Sequence, residues 1–372
     1  MRILFVLPGF HRVQRGAEVA LESVATHIAA TGNDEVTLLG SGQPDPERPY
    51  RFLHAPAMPR ERFEKWPKVP FFRTEYMYED LTFIPGMLAR FHPSDFDVTV
   101  TCSFPYVYWG LQRPGRRRPR HVFVTQNGDW PAHLDNAEAR FFRCDGLVCT
   151  NPEYYARNRD RWRSTLVPNG VDINRFHPGP ADRTRFDLPT DAPIVLMVSA
   201  LVESKRVADA IRAVAKIPDI HLVVAGDGPQ RDALDALAAE LMPGRFLRRR
   251  LHFSEMPDLY RCADAFLHTT LLESFGNVYV EALASGLPIV AHASAVTEWI
   301  LGEHASLVDT TDEPKLVAAL GHALVHSADD LEMRVKMANE RYAWPVVGEA
   351  YRSFLHQVVG GPTGREIGRA HV

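Results

Sequence analysis

The chain has 372 residues, of which 45% are hydrophobic and 24% are charged. This length allows two α/β domains of ordinary size, and the composition is that of a folded globular protein without long disordered tracts. The formal net charge of −4 at pH 7 gives no electrostatic reason to expect a nucleic-acid partner.

The cysteines and the apolar runs indicate the compartment. The sequence starts with a strand-like run in place of a signal peptide, and no two cysteines form a CxxC pair, so we expect a reducing cytoplasm. No stretch approaches the ~18 consecutive apolar residues of a spanning helix, so we expect no transmembrane segment. Peripheral contact with a membrane surface stays open.

The first half of the chain repeats a strand–helix–strand pattern. The short apolar run at 2–7 predicts a buried parallel strand, and the helical spacing of apolar residues over 16–30 predicts the helix that follows it. We interpret 1–170 as one Rossmann-like domain. Its further predicted strands are 35–39, 97–101, 121–125 and 146–150.

A second series of the same kind begins with a predicted strand at 193–199 and a helix at 205–216. We interpret 171–344 as a second Rossmann-like domain, because the Pro, Gly and Asn density of 167–180 marks a junction. Ligands of open α/β sheets bind at the carboxyl ends of the strands, so we expect the two sheets to face one cleft. The further predicted strands are 221–225, 251–253, 265–268 and 288–291.

The end of the chain has two parts. Residues 345–359 are amphipathic and predict a last helix that packs back on the N-terminal domain. Residues 360–372 have no apolar period, and we expect a flexible tail there.

The most informative stretch runs from Glu273 to Glu281 and reads Glu-Ser-Phe-Gly-Asn-Val-Tyr-Val-Glu. A helix should begin near Gly276, so the amides of Phe275, Gly276 and Asn277 would be donors to an oxygen-rich ligand, with the helix dipole favouring negative charge. A surface helix with two solvated glutamates is the alternative interpretation.

The two glutamates are separated by seven residues, and in this the chain resembles the retaining glycosyltransferases of family 4. The resemblance implies the GT-B fold, in which two Rossmann-like, doubly wound parallel-sheet domains face a cleft. Other segments resemble the same family in the same order: 167–172, Lys205-Arg206, 224–229, 251–253 and 260–264.

The resemblance also implies residue roles. Glu273 would contact hydroxyls of the donor sugar and Glu281 the ribose, since a carboxylate accepts charge-assisted hydrogen bonds from hydroxyls. Lys205 would neutralise the donor diphosphate as the glycosidic bond breaks. Lys205 and Glu273 are thus the expected catalytic residues; on spacing alone, Lys205 reads as a solvated lysine at a helix start.

The chain departs from the family at Ala200, where an arginine that binds the diphosphate is usual. The loss of a charge-assisted hydrogen bond costs ~1.5–3 kcal/mol, so we expect weaker turnover unless Arg206 or another cation compensates. The N-terminal loop resembles a Gly-Gly-x-Glu loop with Arg15 in place of the first glycine. Gly16 would let the backbone approach a phosphate or acceptor; alternatively it only opens the helix.

Gln126 occupies a position where the family usually has a histidine that contacts the outer hydroxyl of the donor sugar. An amide can still donate and accept hydrogen bonds, but it cannot titrate. We hypothesise that the donor sugar is unusual, deoxygenated or modified at its outer carbon.

Three segments are candidates for contact with a membrane or an acceptor. Two are basic stretches, at 113–121 and 245–250, and the third mixes aromatic, basic and proline residues at 63–78. Solvated loops, and for 63–78 a packed connecting loop, are the alternatives.

Together these features predict an enzyme that transfers a sugar from a nucleoside-diphosphate sugar, most simply a UDP-sugar, to a hydroxyl acceptor with retention. No HExxH or paired DxD motif is present, so we expect neither a metal nor another cofactor. A non-catalytic sugar-nucleotide-binding protein is the main alternative, and sugar-nucleotide epimerisation a further one. A dehydrogenase is disfavoured because no G-x-G-x-x-G follows the first strand.

Overall fold

The computed structural model describes residues 1–69, 72–112, 118–134, 139–326 and 330–361. The chain divides into two compact units. The N-terminal unit comprises Met1–Asn169 together with the segment from Trp344 onward, and the C-terminal unit comprises Gly170–Ala343. Each unit is an α/β domain with its own parallel sheet.

The described residues of the N-terminal unit form a seven-stranded sheet in the order β3-β2-β1-β4-β5-β6-β7, with every pairing parallel. Strand β1 is almost wholly buried, as its continuous apolar sequence predicts. The strands are β1 (Arg2–Val6), β2 (Glu35–Gly40), β3 (Arg51–His54), β4 (Val98–Thr101), β5 (Arg120–Val124), β6 (Gly146–Cys149) and β7 (Ser164–Leu166).

Helices cover this sheet, and one of them is the last helix of the described residues. Apolar side chains of the first helix and of the last helix share one buried cluster with the strands. Gly348 of the last helix lies against the ring of His27, where a Cβ atom would not fit. The helices are α1 (Gly16–Ala30), α2 (Glu75–Arg90), α3 (Tyr106–Leu111), α4 (Trp130–His133), α5 (Pro152–Asn158) and, from the chain's end, α13 (Trp344–Gly360).

The described residues of the C-terminal unit form a six-stranded parallel sheet in the order β10-β9-β8-β11-β12-β13. The strands are β8 (Ile194–Val198), β9 (His221–Ala225), β10 (Phe246–Arg249), β11 (Ala265–His268), β12 (Ile289–His292) and β13 (Ala305–Val308). The helices are α6 (Val207–Ala215), α7 (Arg231–Leu241), α8 (Met256–Arg261), α9 (Asn277–Ala284), α10 (Ala295–Leu301), α11 (Glu313–Val325) and α12 (Leu331–Met337).

Two predictions in the C-terminal unit are wrong in detail. The strand predicted at 251–253 is instead β10, at Phe246–Arg249, followed by a 3₁₀ turn at Phe253–Glu255. An edge strand tolerates charged side chains, and the run of arginines hid this one. The helix predicted from 205 begins at Val207, because Lys205 ends a 3₁₀ turn and Arg206 adopts a left-handed conformation.

The arginines of 245–250 are largely used within the unit and do not form a solvated loop. Arg245 donates to the carbonyl groups of Ile217 and Ile220, and Arg248 pairs with Asp235 through two hydrogen bonds. In the other predicted basic stretch, 113–117 lie outside the described residues, as do 362–372 of the predicted tail.

Membrane-spanning helices are absent from the described part of the chain, where no helix is both long enough and apolar enough to cross a bilayer.

Candidate active site

Each sheet has one pair of neighbouring strands at which the strand order reverses. The chain that follows one strand of the pair continues toward one side of the sheet, and the chain that follows the other strand continues toward the opposite side. In the C-terminal unit this point lies between β8 and β11. Open α/β sheets bind ligands in the crevice that such a reversal creates at the carboxyl ends of the strands. The segment that follows β8 carries Lys205, and the segment that follows β11 carries Glu273.

Lys205 and Glu273 meet at this crevice. The Nζ atom of Lys205 donates a hydrogen bond to Oε2 of Glu273, although the two residues are far apart in sequence. Their side chains are 24% and 20% exposed, so a ligand can reach both head groups. The structure thus places a cation and a carboxylate together. A cation can bind a phosphate, and a carboxylate can accept hydrogen bonds from a hydroxyl group next to that phosphate.

Hydroxyl groups directly after β11 hold the backbone that carries Lys205. The Oγ1 atom of Thr269 donates to the carbonyl oxygens of Lys205 and Arg206, at 3.1 and 2.9 Å. Thr310, after β13, donates to the carbonyl of Thr269 at 3.3 Å. These threonines were not among the predicted site residues, although consecutive hydroxyl residues at the end of a buried strand are a readable signal.

The N-terminus of α9 forms the next wall of the site. Gly276 has φ +80°, and a Cβ atom there would lie 2.6 Å from the ring of Tyr279, so both its conformation and its surroundings require glycine. Within the described residues, the amides of Phe275 and Gly276 donate to no protein acceptor. With Asn277 as the first helical residue, the predicted set of donors lies at the helix N-terminus.

A buried histidine lies beneath the ion pair, on β11. His268 is 1% exposed and shares a 3.2 Å hydrogen bond with the hydroxyl of Tyr279. Burial and the positive charge of Lys205 lower the pKa of His268 to about 3, so this imidazole stays neutral at physiological pH. It supports the floor of the site without adding charge.

Glu281 lies inside α9 and is tied to a residue that sequence reasoning missed. Its Oε2 atom accepts a 2.8 Å hydrogen bond from the hydroxyl of Tyr260, which is fully buried. Burial raises the pKa of Glu281 to about 7, against the lowering effects of the Tyr260 hydrogen bond and of Arg175. Tyr260 lies in a segment that resembled the family, but nothing in the residue type marked it as the partner of Glu281.

Ala200 and Arg206 flank the lysine. Ala200 is exposed just after β8 and brings no charge to the site. Arg206 adopts φ +53°, a conformation that is uncommon for residues other than glycine, and its Nε donates to Asp209 at 2.7 Å. Arg206 is thus a second cation next to Lys205, at the start of α6. One of its N–H groups already donates to Asp209.

The predicted N-terminal loop lies in the other unit, after β1. Gly16 is exposed and is the first residue of α1, without a positive φ. Arg15 donates to Glu79 at 3.0 Å and to Glu61 at 3.3 Å, and it lies 3.7 Å from Glu18. Arg15 is thus surrounded by carboxylates of its own unit.

More acidic groups lie near the carboxyl ends of the neighbouring strands β1 and β4. Glu79 and Asp80 of α2 are 2% and 3% exposed. Glu79 also pairs with Arg12, and Asp80 accepts from the hydroxyl of Ser103, which follows β4. Burial raises the pKa of Asp80 to about 8, with the neighbouring charges of Glu79 and Glu18 acting in the same direction.

Gln126, after β5, uses both ends of its amide. It donates to the side chain of Asn169 at 2.5 Å and accepts from it at 3.0 Å. Gly16 and Gln126 thus belong to the N-terminal unit, whereas the other predicted site residues belong to the C-terminal unit.

No group of three or more His, Cys, Asp or Glu side chains with the arrangement of a metal site occurs among the residues that the structure describes. The site of the C-terminal unit carries the cation Lys205 and the N-terminus of α9, which begins at Asn277.

Two family descriptions match the chain: "Glycosyltransferase Family 4" over residues 14–175 and "Glycosyl transferases group 1" over residues 180–344. Over 98% of both chains, the sequence is 31% identical to the GDP-mannose-dependent alpha-mannosyltransferase of Mycobacterium tuberculosis (strain CDC 1551 / Oshkosh). It is 30% identical to the lipopolysaccharide core biosynthesis glycosyltransferase LpsE of Rhizobium meliloti (strain 1021), over 62% of this chain and 66% of that protein. The latter match spans just under two thirds of the relative.

The fold is similar to that of solved structures. The crystal structure of Anabaena Alr3699/HepE in complex with UDP-glucose aligns with a TM-score of 0.75, covering 96% of this chain and 100% of that one, at 16% identity. At this identity the likeness concerns the fold alone.

Proposed function

The chain belongs to glycosyltransferase family 4, with the GT-B fold, and on that basis we propose that it transfers a sugar from a nucleoside-diphosphate sugar to a hydroxyl acceptor. The observation that carries the proposal is the ion pair of Lys205 and Glu273 at the point where the strand order reverses. A sugar linked to a diphosphate needs a cation for the phosphate and a carboxylate for the sugar hydroxyls at one place.

Each residue of the crevice has a role in this proposal. Lys205 neutralises the diphosphate, and the amides at the N-terminus of α9, from Phe275 to Asn277, bind oxygens of the donor. Glu273 accepts hydrogen bonds from hydroxyls of the sugar, and Glu281 accepts them from the ribose. The contact between Lys205 and Glu273 supports this assignment, because the phosphate and the sugar of such a donor are directly linked.

The proposed reaction exchanges one bond at the anomeric carbon. The bond from this carbon to the phosphate oxygen breaks, the acceptor oxygen forms the new bond on the same face, and the proton of the acceptor hydroxyl passes to the leaving diphosphate. The anomeric configuration is then retained. The protein contributes positioning and stabilisation of the developing negative charge, with Lys205 nearest to it.

The missing arginine at position 200 weakens this charge stabilisation. Arg15 belongs to the N-terminal unit, where its guanidinium donates to Glu79 and Glu61 and lies 3.7 Å from Glu18. Arg206 is the cation adjacent to Lys205, with its Nε bonded to Asp209. We propose that the remaining N–H groups of Arg206 supply the second positive charge to the diphosphate.

The donor is best sought with a panel. The full-length mycobacterial relative is GDP-mannose-dependent by name, whereas the HepE complex contains UDP-glucose. GDP-mannose is therefore a candidate donor in addition to the UDP-sugar that the sequence suggested. Gln126, engaged with Asn169, still motivates the hypothesis of an unusual donor sugar; a clear preference for UDP-glucose or GDP-mannose over deoxygenated analogues would contradict it.

The decisive experiment is calorimetric titration of UDP, GDP, ADP and TDP into the wild-type chain and into Lys205→Ala. We expect one nucleotide to bind in the micromolar range and to bind at least about tenfold more weakly to the variant, because a charge-assisted contact is lost. Binding of none of the four would contradict the proposed function.

The alternative of a non-catalytic sugar-nucleotide-binding protein is favoured by two observations, the uncharged Ala200 and the amide pair of Gln126 with Asn169. Hydrolysis assays separate the two functions. Slow release of free sugar from the bound donor supports a transferase, whereas binding without release or transfer across the panel supports the alternative.

We also propose peripheral contact with anionic membranes through the described parts of the segment at 63–78, which are 63–69 and 72–78, since the arginines of 245–250 are largely used internally. Trp66 is 52% exposed and Val69 is 44% exposed, next to the exposed Lys65 and Lys68. Aromatic and basic side chains together suit the headgroup region. Co-sedimentation with phosphatidylglycerol vesicles should fall in a Trp66→Ala, Lys68→Glu variant; equal binding by the variant would contradict this contact.

A further inference from the structure

The hydroxyl of Tyr260 is directed at Glu281 from within the core of the C-terminal unit. Tyr260 lies on α8, is 0% exposed, and packs edge-on against Phe176 at 5.5 Å and face-on against Phe266 at 5.8 Å. Its ring is thus fixed on two sides. Its hydroxyl donates to Oε2 of Glu281 at 2.8 Å.

The two carboxylate oxygens of Glu281 differ. Oε2 accepts from Tyr260, whereas Oε1 receives no hydrogen bond from the described part of the chain. The side chain is only partly buried, so Oε1 is the oxygen available to a ligand. A carboxylate with one oxygen fixed from the protein side presents the other in a defined direction.

We propose that Tyr260 is a positioning residue that holds the Glu281 carboxylate ionised and oriented, so that its second oxygen accepts hydrogen bonds from the ribose of the donor nucleotide. The inference rests on the proposed function, in which Glu281 binds the ribose. It predicts that the discrimination between ribose and deoxyribose depends on a hydroxyl group that does not touch the nucleotide.

The charged groups around Glu281 define how binding depends on pH. Arg175, whose guanidinium lies 4.4 Å from the centroid of the Phe253 ring, lowers the pKa of Glu281 together with Tyr260. Of the neighbouring helices, α12 directs Arg334 to the carbonyl of Gly286, and Glu298 of α10 is exposed.

A ribose hydroxyl donates to an ionised carboxylate, so nucleotide affinity should fall as the pH drops through the pKa of Glu281, about 7. The hydrogen bond from Tyr260 stabilises the ionised form. Without it the pKa of Glu281 rises further, and the fall in affinity begins at a higher pH.

The test is a titration of UDP and GDP, and of their 2′-deoxy and 3′-deoxy forms, into three proteins across this pH range. They are the wild type, Tyr260→Phe and Tyr342→Phe. The Tyr342 variant is the matched control, because its hydroxyl is also fully buried in the same hydrophobic cluster and donates at 2.7 Å, but to the carbonyl of Ile300. Both substitutions keep the ring.

For Tyr260→Phe we expect about a tenfold loss of affinity for the ribonucleotide at neutral pH, little change for one of the deoxy forms, and a pH midpoint moved upward. Tyr342→Phe should match the wild type in the ratio of ribo to deoxy affinity. An unchanged ratio and midpoint in Tyr260→Phe, with the wild type still binding, would overturn the inference alone. Absence of nucleotide binding by the wild type would overturn the proposed function as well.

Discussion

The two units carry the same topological feature with different chemistry. Each sheet reverses its strand order at one point, between β1 and β4 in the N-terminal unit and between β8 and β11 in the C-terminal unit. At the first, Glu79 and Asp80 are almost completely buried and are satisfied by Arg12, Arg15 and Ser103. At the second, Lys205 and Glu273 pair with each other, but both side chains are partly exposed.

Accessibility of the carboxylate is what separates the two sites. The cations are similarly exposed, Lys205 at 24% and Arg15 at 21%, but the Glu273 side chain is 20% exposed whereas the Glu79 side chain is 3% exposed. An internally neutralised cluster would have to break buried ion pairs to bind a charged ligand, at a high desolvation cost. A shared topology thus occurs twice, and under the proposed function the chemistry of the loops decides which of the two sites recognises a diphosphate.

We expect the largest effect from a substitution of Lys205, the cation of the C-terminal site, and compare it with the same substitution of Arg15, a cation of the N-terminal site. Lys205→Ala should lower kcat by roughly 10²–10³-fold, as for the loss of one group that stabilises transition-state charge. Arg15→Ala should change donor affinity by less than about threefold, because Arg15 already pairs with carboxylates. Steady-state kinetics with the donor found in the panel measures both. If Arg15→Ala lowered donor affinity or kcat more than Lys205→Ala does, the proposed difference between the two sites would be contradicted.

An added charge at the accessible edge should have the next largest effect. Ala200→Arg places a guanidinium at the exposed position after β8 and should raise affinity for the nucleoside diphosphate by about tenfold. Calorimetry measures the change, and Ala200→Leu controls for side-chain size. The gain should shrink at high salt, since screening weakens the contact. Equal gains for Arg and Leu would show that charge is not the missing element.

At the buried edge, stability should respond more than binding. The pKa of Asp80 is raised to about 8 in the folded chain, so the folded state holds a proton that the unfolded chain releases at acidic pH. This contribution to stability is fully present at acidic pH and is lost as pH rises through about 8. Asp80→Asn cannot ionise, so the variant should not lose this stability as the pH rises. Its Tm should be higher than that of the wild type by at least roughly 2–4 °C at mildly alkaline pH, the shift that ~1 kcal/mol gives in a domain of this size.

A control of opposite sign is available at Asp97. The hydrogen bond from Arg2 lowers the pKa of Asp97, so its stabilising contribution is present at neutral pH and is lost on acidification through that pKa. Asp97→Asn should therefore lower Tm at neutral pH, and differential scanning calorimetry checks both variants. A parallel response of the two variants would contradict the burial of Asp80 as the cause.

The smallest expected effect is that of a chelator. If the side-chain cations and the helix N-terminus at the accessible edge provide all the charge the diphosphate needs, EDTA should leave kcat unchanged within error. Activity that is lost in EDTA and restored by magnesium would show that a divalent metal ion supplies part of this charge.

Much of the fold was predictable because apolar runs and glycine or proline stops mark buried parallel strands. The bounds of α1 and of β9 and β11 are as predicted from the sequence. The strands β3, β7, β10 and β13 were not predicted where they lie. They are at the edges of the sheets, where half-buried positions tolerate polar and charged residues.

The site could be predicted in type but not in its internal bonds. The spacing of Glu273 and Glu281 identified the helix, and the resemblance identified Lys205. The direct contact of Lys205 with Glu273, the hydrogen bond from Tyr260 and the engagement of Arg15 are long-range pairings. Such pairings depend on how separate loops come together, which residue types and local spacing do not encode.

The helix α13 has a consequence for synthesis on the ribosome. It completes the hydrophobic cluster of the N-terminal unit with Val347, Tyr351, Phe354, Leu355 and Val358. The C-terminal unit is a continuous segment, Gly170–Ala343, and emerges before this helix does. The domain that is translated first is therefore the last to be finished, and until then the apolar face of α1 is a surface for chaperones or for aggregation.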